Sequence, residues 1–164
     1  MNKITSTLAV LSLVTVSSYG QKLVEGSLDQ LKGEQKIKIE YNYNDAEIKG
    51  MTFSEYVAQE KNWETGNEEI RAKFIEEFNN ASKGKIKATK EDAKYTLVLN
   101  ISEVGRSGDA KGTACVKDSE GNVIAKIEKV RGEGGKWGTH INLMGDGAKS
   151  MGESLGKFFK SKMK

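Results

Sequence analysis

The sequence has no proline, a single cysteine and a single histidine. One cysteine leaves no internal disulfide to close, so stability must come from packing. With one histidine and one cysteine, no zinc or copper site can be assembled from soft or borderline ligands. Cys115 and His140 are also the only candidates for a thiol–imidazole pair. Cys115 lies between Ala114 and Val116 in an expected strand, where a small packed side chain is the ordinary outcome, and His140 follows a glycine-rich loop at an expected strand start. No Gly-x-Ser-x-Gly elbow occurs, because Gly105-Arg106-Ser107-Gly108 has the wrong spacing. Paired carboxylates of the glycosidase type are not excluded by composition, yet nothing singles out two of them.

Long hydrophobic runs are also missing. The longest, Ile4 to Val16, follows Lys3 and precedes Ser17-Ser18-Tyr19-Gly20. Thirteen residues at 1.5 Å each reach only about 20 Å, short of a hydrocarbon core of roughly 30 Å. The segment therefore reads as a signal peptide over residues 1–20, cleaved between Gly20 and Gln21. No cysteine follows to accept a lipid. The expected product, residues 21–164, is a single domain, periplasmic or secreted, with no transmembrane span. Its charge is near neutral, because only Lys3 of the 26 basic residues lies in the signal, against 23 acidic ones. No global pull toward nucleic acid follows.

The 18 glycines are expected, with Asn and Asp, to make the turns that proline does not. Residues 21–33 read as a lead-in pinned by Leu23, Leu28 and Leu31. From Gln35 to Tyr43 the chain alternates, with Ile37, Ile39, Tyr41 and Tyr43 on one face, which predicts a half-buried strand. Thr52 with Glu55, and Thr65 with Glu68, have capping-box spacing and predict two helix starts. The second helix carries Ile70, Phe74 and Phe78 as a stripe and is expected to end near Gly84, before a short strand at Ile86.

Tyr95 to Val104, Ala110 to Lys117 and Val123 to Val130 predict a meander, with a turn at Asp118 to Asn122. That turn lacks the later glycine and the bidentate Glu of a calcium loop. The last element, Asp146 to Lys162, reads as a helix with Ala148, Gly152 and Gly156 four apart, small enough to lie close on the sheet. The expected fold is α+β: a mostly antiparallel sheet of about four to five strands on two to three helices, in the order β-α-α-β-β-β-α.

Gly132 to Gly138 lacks the leading glycine and the hydroxyl of a phosphate loop and reads as a mobile loop between strands. Trp137 and Lys136 in it, with His140, are candidate partner contacts, the alternative for Trp137 being packing over the sheet edge. Lys160, Lys162 and Lys164 are further candidates, as a basic end with Phe158, Phe159 and Met163 that meets an anionic surface. The alternative is that the lysines complement the helix dipole while the rings face the core.

Gly26 to Gly33, Tyr95 to Asn100 and Gly147 to Gly152 leading to Phe158 resemble an uncharacterised family of exported Bacteroidetes-type proteins. More distantly, the element order resembles the amino-terminal domain of TolB and related envelope-lipoprotein domains. The resemblance implies an envelope location and no activity. The expected function is a non-catalytic binding or assembly domain without cofactor, meeting an envelope protein or a surface glycan or lipid through a sheet edge or the 132–138 loop. Its alternatives are an envelope hydrolase whose carboxylates meet only in three dimensions and a carrier of a small apolar ligand.

Overall fold

The computed structural model describes residues 20–163, so the expected signal segment over 1–19 and Lys164 lie outside the described residues. The architecture is α+β, with a mixed sheet of eight strands covered on one face by helices. Strand β1 (Lys22–Gly26) leads through a short 3-10 turn into β2 (Lys36–Asn42) and the two-residue strands β3 (Glu47–Ile48) and β4 (Met51–Thr52). Helices α1 (Phe53–Gln59) and α2 (Trp63–Ser82) follow, then β5 (Lys87–Thr89), β6 (Thr96–Val104), β7 (Ala110–Lys117), β8 (Val123–Gly132) and α3 (His140–Lys162).

The sheet runs β1-β8-β7-β6-β2-β5, with β3 continuing beside the far end of β6. Four to five strands was therefore an undercount. What reads as a lead-in supplies an edge strand, β1, antiparallel to β8, while Leu28 and Leu31 bury themselves beneath it. The expected meander is present as β6-β7-β8, but β2 is parallel to both β5 and β6. The chain leaves β2 and returns through α1 and α2 to the end where β2 began, and such a crossover sets strands parallel.

Thr52 caps α1 with a full box: its hydroxyl accepts from the Glu55 amide, and the Glu55 carboxylate accepts from the Thr52 amide at 2.8 Å. The second expected box does not form. Helix α2 begins two residues before Thr65, behind Asn62, and Glu68 pairs instead with Lys90 at 2.6 Å. Trp63 explains the early start, because it is buried edge-on against Tyr43, Phe53 and Tyr56. Burying that ring is worth more than the ~1 kcal/mol of one cap. At the other end Lys83, in the left-handed region at φ 53°, stops the helix beside Gly84.

Helix α3 starts at His140, six residues before the expected Asp146, and Thr139 caps it by accepting from the Asn142 amide at 3.3 Å. Gly145, Gly147, Gly152 and Gly156 lie inside this helix, where each costs about 1 kcal/mol relative to Ala. Their placement gives the reason they are tolerated. A Cβ on Gly152 would stand 2.4 Å from the Phe74 carbonyl oxygen, and one on Gly156 would stand 2.6 Å from that of Phe78. The small-residue line thus lies against α2 and not, as its spacing suggested, against the sheet. Only Gly147 faces the sheet end, where its Cβ would meet the Gly108 carbonyl. Phe74, Phe78 and Phe159 fill the seam with no exposure, and Phe78 and Phe159 meet edge to face at 5.3 Å.

Among the described residues no helix lies on the outer face of the sheet, and that face is bent. In β6, Leu97, Leu99 and Ile101 point inward, and strict alternation would send Glu103 into the core and Val104 out. An extra residue between Ile101 and Glu103 keeps both Ser102 and Glu103 outside and returns Val104 to the core. Strand β8 repeats the device: Ala125 and Ile127 point in, Glu128 and Lys129 both stay out, and Val130 returns. Both bulges flank Gly112 of β7, where a Cβ would stand 2.1 Å from the Asn100 carbonyl oxygen.

Candidate functional site

Three loops gather at the end of the sheet where α3 begins: the β3–β4 turn, the β6–β7 turn and the segment from β8 into α3. The last is the glycine-rich stretch, which joins a strand to a helix and not two strands. Its first half is fastened. The Glu133 amide donates to Ser150 Oγ at 3.0 Å, and the Gly134 amide donates to Asp109 Oδ1 at 2.8 Å. Gly134 must be glycine here, because its Cβ would stand 1.9 Å from the Ser107 carbonyl oxygen. Asp109 also accepts from the Ser107 hydroxyl, and these bonds hold its carboxyl below the usual range.

From this fastened base the chain turns outward. Trp137 is 88% exposed, which excludes packing over the sheet edge, and Lys136 beside it is exposed without an ion pair among the described residues. Among the described residues, the other large apolar side chains that stand exposed, Val24 and Val123, reach 41% and 40%. An indole held in water on a braced loop offers a large contact area at little entropy cost.

His140 takes a different part from the one its sequence position suggests. It opens α3 instead of a strand, and it is half-buried. Tyr56 donates its hydroxyl to His140 Nδ1 at 2.8 Å, and Nε2 donates to the Gly105 carbonyl at 3.0 Å. Nε2 must carry a proton, because a carbonyl only accepts, and burial favours the neutral ring, in which Nδ1 accepts from Tyr56. Burial pushes the imidazole pKa down, with Lys49 adding to the shift, while the Gly105 bond and Glu60 oppose it. Burial likewise raises the Tyr56 hydroxyl to about 12. His140 therefore ties α1, α3 and the β6–β7 turn together, with part of its ring left in solvent.

The terminal lysines are elsewhere. Helix α3 has 23 residues, so Lys160 and Lys162 lie roughly 30 Å from His140 along its axis. Phe158, Phe159 and Met163 are buried, and the Lys162 ammonium sits 5.7 Å from the Phe158 ring centre. The rings face the core and the lysines stand in water over the helix end. Lys136 and Trp137 thus stand exposed side by side, His140 is half-buried at the start of α3, and Lys160 and Lys162 lie at its far end, Lys164 being outside the described residues.

Sequence reasoning missed Lys49 and Arg106, exposed cations in the other two loops. Lys49 adopts φ 56° at the turn with Gly50, and its amide donates to the Val104 carbonyl at 2.9 Å. Neither turn was read from the sequence as part of a site, and only the sheet order brings both to the end where α3 begins.

Other chemistry is sparse. Cys115 is free and half-buried on the outer sheet face, facing Asn100, away from the helix layer that holds His140. Among the described residues no group of three or more His, Cys, Asp or Glu is placed to hold a metal. No helix of the described residues is long and apolar enough to cross a membrane.

Comparison of the sequence with protein-family models and with curated proteins finds no match. Among solved structures the chain is similar to PelC from Paraburkholderia phytofirmans, in a dodecamer in space group P6, at 10% identity and a TM-score of 0.41. A substituted PelC dodecamer in space group C2 gives 12% identity and a TM-score of 0.38. Each comparison covers 82% of this chain and 95% of the PelC chain. Values of this size carry neither PelC's fold nor its role over to this chain.

Proposed function

We propose that the chain is a non-catalytic binding domain of the cell envelope, exported after loss of residues 1–20, and that it meets an acidic partner surface through Trp137 and Lys136. The observation that carries this reading is the 88% exposure of Trp137 on a loop whose base is fixed to Asp109 and Ser150. Lys49 and Arg106 stand exposed on the other two loops at this end of the sheet, and with Lys136 they favour an acidic face opposite. The sheet edges support the role less well: β1 is short, bulged and charged, and β5 has three residues, both common defences against strand addition.

The competing readings ask for features of another kind. A carrier of apolar ligands needs an internal cavity, and the space among Tyr41, Ile101, Met144 and Met151 is about 10 Å³, room for a single water. A hydrolase needs two carboxylates in one cleft. The outer-face groove, about 430 Å³, is lined by one, Asp45, while two open clefts are each bordered by a pair, Glu60 with Glu69 and Glu133 with Glu153.

In-cell crosslinking followed by affinity capture tests the proposal, comparing the native chain with Trp137→Ala/Lys136→Ala and with a chain neutralised at Lys160, Lys162 and Lys164. One specific protein is expected with the native chain and the lysine variant, and its loss with the loop variant, since a buried interface Trp typically carries about 2 kcal/mol or more. Capture of no partner by the native chain, or retention by the loop variant, overturns it.

A further inference from the structure

The outer sheet face holds a second feature that the loop surface does not use. Where β6 and β8 bulge on either side of β7, the sheet forms a groove of about 430 Å³, within the usual size range of small-ligand sites. Gly112 of β7 lies along its floor. Asn42 and Asn100 lie in it, joined by a 3.0 Å bond from Asn42 Nδ2 to Asn100 Oδ1. The Asn100 amide group is directed at the Cys115 sulfur at 3.9 Å, a weak acceptor, so it remains a good donor toward a ligand. Thr113 adds an exposed hydroxyl.

One wall is cationic. Lys129 and Arg131 of β8 both line the groove, and neither is ion-paired among the described residues, whereas Lys111 is held by Glu103 at 2.8 Å. Lys129 reaches this wall only because the bulge breaks the alternation of β8, and it does so at φ 58°, a conformation that costs a lysine free energy. A cation placed outward at a strained position, beside an unpaired guanidinium, fits a carboxylate or phosphate group, which Arg binds with two parallel bonds. Asp45, exposed at the same groove and without an ion pair among the described residues, supplies acceptors for hydroxyl groups.

We infer that this groove binds an acidic saccharide, with the sugar carboxylate between Lys129 and Arg131 and ring hydroxyls on Asn100, Thr113 and Asp45. The requirement for both an anion and several hydroxyls separates this ligand from a simple anion and from a neutral sugar. Trp137 does not line the groove, so its replacement separates the two proposals.

The test is a titration of residues 21–164, labelled with ¹⁵N, by trigalacturonate, its neutral methyl ester and inorganic phosphate. Trigalacturonate is expected to shift the amide signals of Gly112, Thr113 and Lys129, the ester to leave them unmoved, and phosphate to act more weakly. Lys129→Gln/Arg131→Gln should weaken trigalacturonate at least about tenfold with the rest of the spectrum unchanged, the loss of one charge-assisted pair. Trp137→Ala should leave the titration as it was. Absence of shifts up to about 10 mM, equal response to the ester, equal or stronger response to phosphate, or unaltered affinity in the double variant would each overturn the assignment; if the double variant unfolds, Arg131→Lys, which keeps the charge and loses the bidentate geometry, must still weaken binding.

Discussion

The two faces of the sheet are built to opposite rules. The inner face presents Ile37, Ile39, Leu97, Leu99, Ala114, Val116, Ala125 and Ile127 to α2 and α3, all nearly or wholly buried. Two helices lie so close over it that Gly152 and Gly156 have no room for a methyl group. The outer face has no covering layer, carries amides, hydroxyls and charges, and interrupts its own pairing with bulges in β6 and β8. Stability is concentrated on one side, which leaves the other free to bend and to hold side chains where packing alone would not put them.

The largest test of that division is Phe74→Ala. Phe74 has no exposure and touches both Tyr41 of β2 and Phe78 of its own helix. Its removal is expected to lower unfolding free energy by about 3–5 kcal/mol in urea titration. Thr113→Val, a change on the outer face, should stay within about 0.5 kcal/mol. Equal effects would erase the contrast between the faces.

Overpacking gives the next effect. Gly152→Val places a branched side chain against the Phe74 carbonyl, and α2 and α3 must part to admit it. A loss of about 1–3 kcal/mol is expected, with a lower thermal midpoint. If stability is unchanged, the seam is looser than its geometry states.

These two residues also mark what the sequence made legible. The Ile70, Phe74, Phe78 stripe, the Thr52 box and the β6-β7-β8 meander rest on local periodicity and local hydrogen bonds, which a single sequence displays directly. What it hid depends on distant partners. Strand β1 buries little beyond part of Leu23, so no alternation marks it, and β3 and β4 are two residues each. The parallel setting of β2 follows from where the chain returns. Gly145 and Gly147 argue locally against helix, and only their contacts with α2 and the Gly108 turn explain them. The bulges did leave a trace that alternation alone overlooked: Ile101-Ser102-Glu103-Val104 and Ile127-Glu128-Lys129-Val130 both slip the apolar phase by one residue. As for the site, Trp137 and Lys136 were legible as loop residues, while the exposure of the indole, the half-buried place of His140 and the arrival of Lys49 and Arg106 at the same end of the sheet required the fold.

His140 sharpens the comparison at the boundary between core and surface. Its folded pKa lies below the unfolded value of about 6.5, so the unfolded chain binds the additional proton as pH falls. Stability from the neutral ring is therefore full above about pH 6.5 and declines as pH drops through the lowered folded value. Urea midpoints measured from pH 7.5 down to 5 should fall in the native chain and fall less in His140→Gln. Parallel profiles for the two chains would show that the Tyr56–His140–Gly105 link does not titrate in this window.

The smallest expected effect comes from the outer face and has the opposite sign. Lys129 sits at φ 58°, in the left-handed region that glycine occupies without a Cβ penalty. Lys129→Gly relieves that strain but also gives the unfolded chain more freedom, so the net gain should be about 0.5 kcal/mol, read as a raised urea midpoint at unchanged slope. The bulge itself should persist, because Val130 still returns to the core and Gly112 still admits the bend. A stabilised protein that has lost affinity for trigalacturonate would mean that the strained lysine is kept for binding. A lowered midpoint would mean that the lysine stem, packed along the groove wall, contributes more than its backbone strain costs, and the outer face would then share in stability that the two-face contrast assigns to the inner one.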